Sequence, residues 1–119
     1  MSSVSSKSFD EPDEQRTPPK TTVDVVRLSG ATVARITFDA GWKWSECVKP
    51  VVGTDSCQAR HVGALVSGEM EVEHEDGSKA TLSAGQAYVI EPGHDAWVVG
   101  DEAAVGYEFE SAETYAKGT

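Results

Sequence analysis

From residue 21 to residue 109 the sequence runs as short apolar–polar alternations, each closed by a Gly, Pro or Asp-Gly break. The clearest is EMEVEHE at 69–75, with Met70, Val72 and His74 on one face and glutamates on the other. A period of two places alternate side chains on opposite faces of an extended chain, so this pattern predicts a half-buried strand. The breaks at Ser29-Gly30, Ser67-Gly68, Asp76-Gly77, Ala84-Gly85, Pro92-Gly93 and Gly100-Asp101 are turn chemistry. They predict strands over 23–28, 31–38, 42–48, 57–66, 69–75, 79–82, 87–91, 96–99 and 103–109, with 49–56 a loop or bulged strand. No window carries a sustained helical period, apart from a frayed turn in SAETYA at 111–116. Many short strands with tight turns predict an all-β fold, an antiparallel sandwich or barrel.

The segments outside this pattern set the domain limits. Residues 1–20 are rich in Ser, Pro and charge, and Pro12, Pro18 and Pro19 oppose regular structure. They read as a flexible N-terminal arm, from which Phe9 either docks on a folded surface or stays loose. Residues 21–110 form one β-barrel domain and 111–119 a C-terminal tail. A chain of 119 residues buries enough surface for a single core without disulfide staples.

Charge narrows the partners. Ten Lys and Arg against twenty Asp and Glu give a net charge of −10. Such a surface repels phosphate backbones and anionic headgroups, so neither nucleic acid nor a membrane is expected as a partner. The N-terminal MSSVSSKSFDE lacks the apolar stretch of a signal peptide, and no run reaches membrane-spanning length. The expected location is cytoplasmic. In a reducing compartment Cys47 and Cys57 read as thiols or metal ligands, with a bridge between them if their strands pair. No nucleophile elbow, phosphate loop or basic aromatic face is present.

LVSGEMEVEHEDG followed by LSAGQAYVIEPGHDAW resembles the two sequence motifs of the cupin superfamily, and the resemblance extends from Gly41 to Phe109. It implies an antiparallel jelly-roll barrel, commonly with one metal ion in the barrel mouth. The usual first motif supplies two histidines, a glutamate and a glycine, and the second supplies a fourth histidine beyond a Pro-x-Gly turn. Gly68 matches the closing glycine, which places His61 where glutamate is usual and Asp55 and Cys57 where the histidines are usual. In the second motif Gly85 and Gly93 match, Pro92 lies one place late, and the fourth ligand position falls on Ala96. At Cys47 the resemblance implies a histidine in related small barrels.

Physical chemistry offers a substitute set. Cys and His are both good ligands for borderline-soft metals. Asp55 and Cys57 point to one face of an extended chain, and so do His94 and Ala96. The expected metal ligands are therefore Cys47, Cys57, His61 and His94, with Asp55 an alternative fourth. Zinc, nickel or iron is the expected cofactor. Trp42 and Trp44, sharing a face by alternation, would line a small-molecule pocket with Tyr88, Trp97 and Asp55. Each residue also has a plain structural role: a small buried thiol, a core histidine bonded to a carbonyl, a rim tryptophan. His74, among glutamates at a strand end, reads as solvated.

Two functions stay open on this reading. One is a barrel binding a divalent transition metal and a small metabolite at its mouth. The other is a metal-free barrel that binds a small molecule as a sensing or storage module. The resemblance further implies a homodimer.

Overall fold

In the computed structural model, which describes residues 3–112, the elements follow the turn signals closely. They are β1 (Glu14–Arg16), β2 (Thr21–Leu28), β3 (Ala31–Phe38), α1 (Trp44–Cys47), α2 (Lys49–Val52), β4 (His61–Ser67), β5 (Glu69–His74), β6 (Lys79–Ser83), β7 (Ala87–Ile90), β8 (His94–Val98) and β9 (Ala104–Glu110). Two sheets face each other: six strands in the order β1-β2-β3-β9-β4-β7, and three in the order β6-β5-β8. All strand pairs are antiparallel. Among the described residues no helix is long and apolar enough to cross a membrane.

The alternations translate directly into layers. Ala34, Ile36 and Phe38 of β3 are buried and meet Met70, Val72 and Leu82 of the smaller sheet in one core. Fully burying Ile36 and Leu65 contributes roughly 1.5–3 kcal/mol each. Gly68 joins β4 to β5 at φ 79°, in the left-handed region. A Cβ there would lie 2.6 Å from Ala103 O and Ala104 Cα, so both the conformation and the crowding demand glycine.

Three segments depart from expectation. The stretch 42–48, expected as a strand, instead forms α1 and leads into α2. Lys43 C=O accepts from Glu46 N–H and Cys47 N–H, and the i, i+3 pair Trp44 and Cys47 is buried together, a helical rather than a period-two spacing. Pro50 suits the first turn of α2, and Gly53 at φ 79° ends it. The strand expected from 57 begins only at His61, and the one expected from 96 begins at His94. Cys57 instead forms an isolated bridge with His94: its N–H donates to His94 C=O at 2.8 Å, and Gly93 N–H donates to Cys57 C=O at 2.7 Å.

Within the N-terminal arm the structure adds a strand, β1, paired with β2 from Glu14↔Val25 to Arg16↔Val23. Asp13 secures its start, accepting from Arg27 N–H at 2.6 Å. Phe9 docks on this domain, its ring 5.1 Å from that of Tyr107 with the Arg35 guanidinium over it. Of the expected turn at 111–116, all but Ser111 and Ala112 lies outside the described residues.

Candidate metal centre and its cavity

Four strands and one loop deliver polar side chains to one end of the core. His61 opens β4 and His94 opens β8, both turned inward by alternation and both buried. Cys57, held against His94 by the backbone bridge, is 4% exposed. Its Sγ lies 3.5 Å from His61 Nε2. The His61 and His94 rings meet edge to face with centroids 5.1 Å apart. Among the described residues Cys57, His61 and His94 form a group of three metal-capable side chains, with one donor atom from each within 4.8 Å of the others.

The far side of each imidazole is already engaged. His61 Nδ1 lies 2.6 Å from Glu108 Oε1, and His94 Nδ1 lies 2.8 Å from the Glu91 carbonyl oxygen. A ring nitrogen bonded to an acceptor carries a proton, so in the neutral tautomer each ring turns an Nε2 lone pair toward Cys57 and the cavity. Metal-binding histidines have this arrangement, with a carboxylate or carbonyl fixing the tautomer. Tetrahedral ligation with bonds of about 2.0–2.3 Å needs donors about 3.4–3.8 Å apart. The Cys57–His61 pair already has that separation. The donor set and its spacing therefore fit a divalent transition metal, with a fourth position left for a ligand from the cavity.

Glu108 anchors the arrangement from β9. Burial pushes its carboxyl pKa up, but the His61 charge and the surrounding donors hold it below the ordinary value. Tyr88 OH donates to its Oε2 at 2.8 Å and Ser111 Oγ to its Oε1 at 2.6 Å. Burial, and then the neighbouring Glu108 charge, push the Tyr88 phenol up, so it stays a donor. For His61, burial opposes protonation while Glu108 and Cys57 favour it, and the net result is a rise to about 10. Burial likewise raises the Cys57 thiol, but hydrogen bonds from His61 and His94 outweigh it and bring the thiol to about 6. Both shifts run in the direction that favours a thiolate at Cys57 beside an imidazolium at His61. Gly63 makes room for this chain, because a Cβ there would meet Tyr88 OH and Glu108 Cγ at 3.0 Å.

Beyond the polar end lies a narrow cavity of about 30 Å³, walled by Phe38, Trp42, Trp44, Met70, Val72 and Leu82. His61, His94, Tyr88, Glu108 and Ala96 line it as well. Ala96, where the sequence resemblance puts a fourth ligand, contributes only a methyl group.

The expected site residues divide accordingly. Cys57, His61 and His94 converge, and Trp42, Trp44 and Tyr88 line the cavity. Cys47 is buried on α1 but does not belong to the converging group, and both cysteines are free of a disulfide. Asp55 is exposed in the loop before Cys57, beside Glu73, Glu75 and Asp95 on the outer surface. Trp97 is not among the residues lining the cavity; on β8 the buried positions are His94, Ala96 and Val98. The Lys43 ammonium lies over the Trp97 ring, 5.3 Å from its centroid. Glu108 was not anticipated, although alternation in AAVGYEF does put it on the face of Ala104 and Gly106. A carboxylate at an inward strand position was the available signal.

No protein-family model matches the chain. A comparison with curated proteins also finds no match. Solved structures do match. A protein of unknown function from Rhizobium leguminosarum is 15% identical over 92% of this chain and 98% of its own, with a TM-score of 0.64. KdgF from Halomonas sp. is 26% identical over 85% of this chain and 90% of its own, with a TM-score of 0.55. A cupin-like protein from Thermotoga maritima is 15% identical over 76% of this chain and 67% of its own, with a TM-score of 0.52. The paired antiparallel sheets, the inward alternation and these neighbours agree: the chain has a cupin-like, all-β fold.

Proposed function

We propose that this protein binds a divalent transition metal through Cys57, His61 and His94, at the closed end of a cavity that takes a small organic ligand. The convergence of these three donors, each imidazole held by an acceptor at Nδ1, carries the reading. A thiolate with two imidazoles favours zinc over metals that prefer all-oxygen sites. A bound ion supplies Lewis acidity toward a ligand oxygen or nitrogen. The chain's own residues do the rest. Glu108 orients His61, Tyr88 and Ser111 orient Glu108, and the aromatic walls exclude water.

Untagged protein, purified reduced and then dialysed against zinc, tests this by elemental analysis. One zinc per chain is expected, lost in Cys57→Ala and in His61→Ala. Cobalt substitution would show a thiolate-to-cobalt absorption that Cys57→Ala removes. Failure of the wild type to retain either metal overturns the reading. A second reading, a metal-free small-molecule-binding module, has its own support: Cys57 and His61 satisfy each other as a thiolate–imidazolium pair, and Ala96 offers no donor.

A further inference from the structure

Among the described residues β6 pairs only with β5 and β7 only with β4, so each ends its sheet with one free edge. A groove of about 360 Å³ lies between these two strands and the β5–β6 turn. Val72, Leu82 and Ile90 line this groove and also line the cavity that ends at His61 and His94. Of the described residues lining the cavity, Ile90 is half-buried and the others are buried. The cavity therefore meets the surface at Ile90, on the side of the groove. Charges at the groove's rim are already paired: Lys79 with Glu73 at 3.0 Å, and Glu91 with Arg60 at 2.8 Å. What the groove offers a visitor is its apolar floor.

The two compartments differ in width. One water needs about 10–15 Å³ of such space, so the inner cavity of about 30 Å³ takes a head of about two or three non-hydrogen atoms. Resting on the reading of this cavity as a ligand site, we infer that its ligand is a slender amphiphile that enters between β6 and β7. A narrow oxygen-bearing head passes Ile90 and reaches the His61–His94 end. An unbranched hydrocarbon neck crosses Val72, Leu82 and Ile90, and the rest of the apolar body stays in the groove. A ligand branched beside its head is too wide to enter. One without a body forfeits the apolar burial that the groove supplies.

Carbon-13 labelling of isoleucine δ1 methyls gives signals from Ile36 and Ile90 only, the two isoleucines of the chain, and Ile90→Val identifies the second. Ile36 is fully buried and lines neither compartment, so it is the internal control. Protein dialysed against zinc is titrated with acetate, butyrate, hexanoate and 2,2-dimethylbutanoate, a branched isomer of hexanoate. Hexanoate is expected to move the Ile90 signal saturably and leave Ile36 in place. Binding should tighten about 4-fold for each methylene that becomes buried. Hexanoate should bind about 10-fold more tightly than its branched isomer. Ala80→Trp fills the groove from an exposed position on β6 and should abolish the gain from chain length. If hexanoate leaves Ile90 unmoved, or if acetate or the branched isomer binds as tightly as hexanoate, the inference is overturned. The wild-type comparison decides this even if Ala80→Trp misfolds. Zinc content measured on the same samples separates the two readings. Zinc retained with no hexanoate response defeats this inference alone, and a hexanoate response with no zinc retained defeats the metal reading alone.

Discussion

Two cysteines, equally buried, sit in different surroundings. Cys47, on α1, packs in the core among aromatic and aliphatic side chains. Cys57 lies 3.5 Å from His61 Nε2, with His94 completing the group. Both are about as hidden from solvent as an interior valine, at 5% and 4% exposure. Burial therefore does not distinguish a structural thiol from a chemical one. What distinguishes them is a cationic or metal-capable partner in contact, because burial alone opposes the thiolate.

The contrast breaks most sharply on metal content. Cys57→Ala and His61→Ala should each abolish stoichiometric zinc, whereas Cys47→Ala should retain it; equal loss in both cysteine variants would erase the distinction. Next in size is Glu108→Gln, which keeps the side chain's shape but removes the charge orienting His61. Zinc affinity should fall about 10- to 100-fold, the usual effect of losing an outer partner of a ligand histidine, as measured by chelator competition.

A third test uses reactivity with pH in metal-free protein. The Cys57 thiol titrates near 6, so its alkylation rate should rise as pH increases through about 6 and then level off. Cys57→Ala should eliminate that phase, Cys47→Ala should leave it, and added zinc should suppress it. The smallest effect is on stability. Cys47→Ala should cost about 1 kcal/mol of unfolding free energy, the typical penalty of a buried truncation, read from denaturant midpoints. Asp55→Ala, on an exposed loop, should change neither stability nor zinc content measurably.

Much of the fold was legible because its signal is local. Alternation in β3, β5 and β9 and the glycines at 68, 77, 85 and 93 need only neighbouring residues to be read. The segment 42–48 departs from its local pattern for the same reason. Two tryptophans two apart suggest one strand face, but Lys43 C=O closes a helical turn immediately after Trp42. Trp42 and Trp44 still both reach the cavity, by a turn and a helix rather than by pleating. Within the site, Cys57, His61 and His94 could be nominated from motif register, whereas Cys47 and Asp55 could not be separated from them. Their exclusion depends on α1 and on the direction of the loop before Cys57.

The sequence by itself determined an all-β domain of short antiparallel strands, the positions of its turns, and an inward face at His61, His94, Tyr88 and Ala96. Only the tertiary structure decided which of those inward groups meet. His61 and Glu108 are 47 residues apart in the chain, and they touch because β4 pairs with β9 in a register interrupted by bulges. Trp42 Nε1, buried without a hydrogen-bond partner, is likewise a property of how the tertiary fold encloses that ring. Period-two alternation says which face a side chain takes. Contact across strands depends on register, and register is settled by pairing and packing over the whole barrel.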